Sequence, residues 1–422
     1  MKTTSARSLT GAAAAAALSL GVAACGARPP VAPPAAVIAL TPDAPPALPF
    51  EPPYAGAESM NTEYYLGSAA QEATRFRQFA EQIRLIQARQ TASRDQPVQR
   101  GFHAKSHGCA YGRLELDPDR DPRLRHGVFA DGKGPWPLWA RFSNGVGWQQ
   151  ADDELDARGL ALKLMGVPGP KRLPDETGTQ DFLLTNSPTP VGANAEEFMR
   201  FAHANAKGTV PGLGFAVGHL GTAAPALLRT NAIDSMVNAQ YWSGGALHLG
   251  AHQAVKLSAR PCPGVAPRTP DRGNPDYLRA DLAAAAAEPG GLCFELLVQL
   301  QVDPERTPIE NAAVEWTDEV SPPLRVGRLV FPTQDLSDPR RAPFCRQLSF
   351  NPWHGVAAHQ PMGHINRARR FVYDASRDRR QGGLEPKDFA GFDVPVVPEP
   401  AVAPASAPES APESAPAAAP EG

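Results

Sequence analysis

The sequence is poor in cysteine. It has five among 422 residues, none at the spacing that a zinc or iron–sulfur site requires. It also lacks a dominant charge. The formal net charge of −3 provides no general basic surface, which excludes nucleic acid and an anionic membrane surface as broad partners. The apolar run near the N-terminus, Leu9 to Ala24, falls short of the roughly 20 residues that a crossing helix needs. Proline, by contrast, is abundant. The 46 prolines crowd towards the two ends and mark linkers, not core. Between those ends, 42% hydrophobic and 20% charged residues suit one large globular domain or two ordinary ones.

Residues 1–24 read as an export signal, with Lys2 and Arg7 ahead of the apolar run. The run ends V-A-A-C at Val22 to Cys25, which resembles the lipobox of bacterial lipoproteins. That resemblance implies cleavage before Cys25, lipid on its sulfur, attachment to a membrane through that lipid, and a place in the cell envelope on the periplasmic side. Residues 25–53 carry repeated Pro-Pro words and form a semi-stiff tether of about 3.1 Å per residue. Residues 396–422 repeat S-A-P-E at Ser406 and Ser410 and read as a disordered tail. The folded domain is expected over residues 54–395.

Within it, Phe76, Phe79, Ile83 and Ile86 recur at the spacing of one helix face. Strand-like runs follow at Ala110–Leu116, Leu138–Phe142, Leu160–Leu164 and Asp181–Leu184. A helical section, Ala195–Ala206, precedes further strands at Ala254–Ser258, Phe294–Val302 and Leu324–Phe331. Strands joined by loops rich in proline and glycine point to an α+β domain: an antiparallel β-barrel or sandwich with added helices. Cys109, Cys262, Cys293 and Cys345 allow three disulfide pairings in an exported chain, and spacing does not choose among them.

The chemistry gathers at Gln360 to Arg380. All the cations of this stretch are arginines: Arg367, Arg369, Arg370, Arg377, Arg379 and Arg380, with Tyr373 in their middle. Arginine pairs with carboxylates through a planar fork and never loses its charge. A tyrosine four residues after Arg369 shares its helix face, where a guanidinium stabilises a phenolate. Three words stand upstream: R-G-F-H-A-K at Arg100–Lys105, A-R-F-S-N-G followed by D-A-R-G-L-A-L-K at Asp156–Lys163, and D-F-L-L-T-N-S-P at Asp181–Pro188. Each is common alone. In this order, with a distant Arg-x-x-x-Tyr, they resemble the haem catalases and their smaller catalase-related relatives. The resemblance runs from Arg100 to Arg380. It is strengthened by N-P-D-Y at Asn274–Tyr277, V-G-R-L-V-F at Val326–Phe331 and S-F-N-P-W-H at Ser349–His354.

The resemblance implies a catalase-like antiparallel barrel and b-type haem (heme b). Tyr373 would ligate iron as phenolate, with Arg369 bonding its oxygen. Arg100, Arg141 and Arg380 would hold the two propionates. His103 would be the distal histidine, and Ser143 would orient its imidazole. Thr185 and Asn186 lie over a pair of asparagines of which the first is catalytic in the family, so Asn186 is the expected substitute amide. Lys105 and Lys163 belong to the matched words but are expected to take no catalytic role. His107, His359 and His364 are expected to serve packing or surface.

The chain departs from the family in places. Ser106 replaces a glycine after H-A-K, T-N-S-P replaces a paired-asparagine word, and Arg370 stands where an apolar residue is usual. The expected activity is that of a haem hydroperoxidase acting on hydrogen peroxide or small organic hydroperoxides with an unspecified electron donor, in a chain that can oligomerise. A lyase or isomerase of fatty-acid hydroperoxides and a non-enzymatic haem-binding envelope lipoprotein are the alternatives. His103 with Ser143 argues against simple storage, which needs an axial ligand but no proton shuttle.

Overall fold

The computed structural model describes residues 67–392, apart from 95–96, 172, 174–177, 208–213, 216, 222–232, 381 and 390. The export signal, Cys25, the tether and the tail lie outside the described residues.

The strands are β1 (Ser106–Leu116), β2 (Trp136–Asn144), β3 (Arg158–Leu164), β4 (Gln180–Thr185), β5 (Tyr241–Ser243), β6 (Leu247–Leu249), β7 (Gln253–Pro261), β8 (Leu292–Leu300) and β9 (Leu324–Phe331). They run β5-β4-β3-β2-β1-β9-β8-β7-β6, all pairings antiparallel. A further pairing of β5 with β7 closes eight of them into a barrel, with β6 as an appended hairpin arm. Eight strands leave an interior that side chains can fill. Leu138, Ala140 and Phe142 of β2, Leu160, Leu162 and Leu164 of β3, and Phe182 and Leu184 of β4 all point into one core cluster. Gly327 lies so close to the Glu115 carbonyl of the neighbouring strand that a Cβ there would collide with it, which accounts for the glycine in V-G-R-L-V-F.

The helices are α1 (Ala69–Arg94), α2 (Ala195–Asn205), α3 (Tyr277–Ala287), α4 (Arg341–Gln347) and α5 (Gly363–Arg379). The expected α1 face is buried: Phe76, Phe79, Ile83 and Ile86 pack with Ile365, Ala368, Val372 and Ala375 of α5. Arg367 of α5 adds ion pairs to Glu72 at 2.8 Å and Glu310 at 2.7 Å. Asn194 caps α2 by accepting the Glu197 amide at 3.0 Å, the usual use of an asparagine at a helix start. The Arg/Tyr stretch is therefore helical, as its spacing suggests. Short β5 and β6 and alanine-rich α3 carry too little periodic signal to be foreseen.

The disulfides are Cys109–Cys345, with Cα atoms 5.8 Å apart, and Cys262–Cys293, at 5.4 Å. The first ties β1 to α4. No described helix is long and apolar enough to cross a membrane.

Candidate functional site

On a strand, alternate residues point to opposite faces. While Leu138, Ala140 and Phe142 fill the barrel, the residues between them face outward, and the register aligns them into rows. Ser143 pairs with Gly159, and Gly159 with Thr185. The next row is Arg141, Ala161 and Leu183; the third is Trp139, Lys163 and Asp181. The words R-F-S, R-G-L-A-L-K and D-F-L-L-T are thus three adjacent strands presenting one outer face. Helix α5 lines a cavity over the first two rows, and Phe344, Phe389 and Phe392 pack on Trp139 of the third.

The first row carries His103. Its Nδ1 lies 3.1 Å from Ser143 Oγ, which leaves Nε2 for the cavity. The imidazole rests on Gly159, where an added Cβ would come within 2.6 Å of its Cε1 and Nδ1 and 3.0 Å of Ser143 Oγ. The backbone of His103 is left-handed, with φ of 57°, uncommon for a residue with a side chain. It is held by His103 N–H donating to Gly145 O at 2.7 Å and Ala104 N–H donating to Val146 O at 3.0 Å. Burial, reinforced by Arg141, Arg369 and Arg100, lowers the His103 pKa to about 3. The ring is neutral at physiological pH, with one nitrogen free to accept a proton.

Arg141 donates to His103 O at 2.8 Å, while its buried Nε has no partner. Arg100 donates to the carbonyls of Cys345 (3.2 Å) and Leu348 (2.6 Å). Arg380 donates to those of Arg346 (2.7 Å) and Leu348 (3.1 Å). Among the described residues none of the three has a carboxylate partner. Burial and mutual repulsion push Arg141 down to about 9; burial and Arg377 push Arg380 down to about 10. Arg100 lies well below its ordinary value because of burial and the other two guanidiniums. Three crowded guanidiniums without carboxylate partners have the charge to suit a dianion.

Two cavities meet at this face, the second the larger. Arg100, Arg141, Ser143 and Arg380 line the first. Val146, Asp156, Phe198 and Met199 line the second. Phe102, His103, Thr185, Arg369, Val372 and Tyr373 line both. Arg369 donates to Asn366 Oδ1 at 3.0 Å and lies against Gly244. The structure therefore brings together His103, Ser143, Arg100, Arg141, Arg369, Tyr373 and Arg380, which stand far apart in sequence.

It does not bring Asn186 with them. Asn186 lines neither cavity: its Oδ1 accepts the Arg158 amide at 2.6 Å, and its own N–H donates to Arg158 O at 2.9 Å. Strand alternation is the reason. Thr185 shares the outward phase of Gly159 and Ser143, and the next residue turns away. The position expected to hold an amide carries the Thr185 hydroxyl, a signal that counting by twos along D-F-L-L-T would have found.

The remaining matched words build supports. Lys105 is buried between Asp152 at 2.7 Å and Asp276 of N-P-D-Y at 2.6 Å. It pins the loop after His103. Lys163 meets Asp181 at 2.8 Å and Glu385 at 2.6 Å. Asp181 also accepts the Asn351 amide at 3.0 Å, and Asn351 donates to Asp374 of α5 at 3.2 Å. S-F-N-P-W-H thus fastens α5 to the barrel. His107, His359 and His364 are buried in packing roles, bonded to Asn144, the Val128 amide and the Ala195 amide. Arg370 pairs with Asp374 one turn on.

The same architecture occurs in solved catalases. A fungal catalase aligns with 22% identity and a TM-score of 0.54, over 68% of this chain and 60% of that one. A bacterial catalase gives 20% and 0.54, over 79% and 64%. Catalase A from Saccharomyces cerevisiae gives 20% and 0.55, over 69% and 63%. The chain has the catalase fold and spans less than two thirds of the length of each of these proteins. No protein-family model and no curated protein sequence matches it.

Proposed function

We propose that the chain is a haem-dependent hydroperoxidase that breaks down hydrogen peroxide or organic hydroperoxides. The observation that carries this is the convergence on one pair of joined cavities of a neutral histidine bonded to a serine, a tyrosine on the helix turn after an arginine, and three guanidiniums without carboxylate partners. These residues fit haem b. The cluster of Arg100, Arg141 and Arg380, with the orphaned Nε of Arg141, suits two propionates. The Tyr373 phenol offers an oxygen ligand to iron, which needs a nearby cation such as Arg369 to stay ionised. Bound there, haem would supply the redox equivalents for cleaving a peroxide O–O bond.

The chain's own part is proton handling and placement. His103 accepts the hydroperoxide proton at Nε2 and returns it to the oxygen that leaves; its lowered pKa keeps the ring in the neutral, proton-accepting form across the physiological range. Ser143 fixes the ring through Nδ1. Thr185 offers a hydroxyl to the reacting oxygens where an amide was expected. The larger cavity, with Phe198 and Met199 on its wall, supports organic hydroperoxides beside hydrogen peroxide, and with them the lyase or isomerase as the second reading. Lipid on Cys25 would hold the domain at a bacterial envelope membrane.

The test is the absorption spectrum of the purified protein and its peroxide turnover. Tyr373→Phe is expected to lose the phenolate-ligated ferric spectrum and much of the haem. His103→Ala is expected to keep haem and to lower turnover by about 10²–10⁴-fold, the scale of a positioned acid–base group. Equal turnover in wild type and His103→Ala would take the proton-transfer role from His103, and no turnover in either would leave a haem carrier in place of an enzyme.

A further inference from the structure

Asp156 belongs to the matched word D-A-R-G, yet the proposed chemistry assigns it nothing. It is buried, lines the larger cavity and stands two residues before β3. Both carboxyl oxygens accept the Val146 amide, at 3.1 and 3.2 Å, and Gln150 Nε2 donates at 3.3 Å. The carboxyl lies so close to Gly145 that a Cβ there would come within 2.8 Å of Oδ1. Next to it, Gly145 N–H donates to Ala157 O at 2.7 Å.

These contacts form the lower rung of a ladder. Residues 156–157 hold 145–146, and 145–146 hold 103–104 through Gly145 O and Val146 O. A histidine with φ of 57° keeps that backbone only when its surroundings determine it; this ladder holds its N–H side, while Arg141 donates to its carbonyl at 2.8 Å.

We propose that Asp156 is the positioning residue for His103: its carboxylate fixes the Gly145–Val146 segment from which the His103 backbone hangs, so that the placement of the imidazole follows the charge of Asp156. The charged group facing the carboxyl is Arg158, whose Nη1 is 3.7 Å away. The rest of its shell is the amides of Gly145, Val146 and Ala157 and the Gln150 side chain. Burial outweighs these and raises the Asp156 pKa to about 7. His103 stays neutral above about 3, so it does not itself titrate near neutrality. An ionised carboxylate accepts an amide more strongly than a neutral acid, and the ladder tightens as pH rises through 7.

The first test needs neither haem nor turnover. Amide resonances of Val146 and Ala104 are followed from pH 5 to 9 in the ¹⁵N-labelled, haem-free chain. Both are expected to shift with one midpoint near 7, and neither is expected to move in Asp156→Asn. In the haem-loaded protein, where the argument rests on the proposed function, peroxide kcat is expected to rise through pH 7. Asp156→Asn is expected to lie about tenfold below the wild-type plateau, flat with pH and with KM unchanged, as a neutral acceptor replaces a charged one. Asp156→Glu is expected to restore the step. A Val146 amide that does not titrate in wild type, an Ala104 amide that stays still while Val146 moves, or an inflection retained in Asp156→Asn would each overturn the proposal. Absence of peroxide turnover in every form would sink the proposed function instead, and the amide titration would still decide this inference.

Discussion

Gly159→Ala is the sharpest perturbation of the site, because it adds one methyl group and replaces no functional side chain. The strand backbone at Gly159 does not require glycine, so alanine costs nothing there by conformation. Its Cβ, however, would stand 2.6 Å from Cε1 and Nδ1 of His103, where carbon contacts settle at about 3.5–4.0 Å. The imidazole has to retreat by about 1 Å, and its 3.1 Å bond to Ser143 Oγ is lost or lengthened. A displacement of about 1 Å at a reacting group costs on the order of 10²-fold in rate. Overpacking of this kind costs about 1–3 kcal/mol of stability, which leaves a folded protein. The assay pairs thermal unfolding and the haem spectrum with peroxide kcat at fixed pH. The expected result is a folded, haem-loaded variant turning over about 10²-fold more slowly. Wild-type kcat in such a variant would refute the idea that the ring must rest on Gly159.

Three other outcomes are expected. Lys163→Met leaves Asp181 and Glu385 with only His354, at 3.4 and 3.5 Å, as a basic neighbour and should cost about 3–5 kcal/mol at neutral pH, measured by denaturant unfolding; a change below about 1 kcal/mol would contradict the clamp. Removing Cys109–Cys345 frees α4, whose last turn and following residue offer the carbonyls of Cys345, Arg346 and Leu348 to Arg100 and Arg380. The double serine variant should lose about 2–5 kcal/mol and release haem faster than a variant lacking Cys262–Cys293, and equal release rates would argue against the link. Mass spectrometry of the mature protein is expected to find Cys25 N-terminal and lipid-modified, and an unmodified Cys25 in a soluble product would remove the anchor.

The sequence alone determined the parts of the site that depend on local order. The four-residue step from Arg369 to Tyr373 holds on any helix, so their shared face on α5 was legible before the fold. Apolar alternation in Leu138–Phe142 and Leu160–Leu164 determined which residues fill a barrel. Arg141 and Ser143 then had to share the opposite face.

What required the tertiary structure was everything set by register and closure. Thr185, not Asn186, takes the place beside His103 because β4 pairs with β3 so that Thr185 faces Gly159, and a one-residue difference in phase reverses a side chain. The choice among three cysteine pairings depended on α4 packing beside β1, a contact across 236 residues that no spacing rule encodes. The same holds for Asp156. Its weight comes from a backbone ladder joining residues 103–104, 145–146 and 156–157, three loop segments that meet only once the barrel is closed. Main-chain bonds of this kind leave no trace in side-chain identity, so a sequence shows the aspartate but not what it holds.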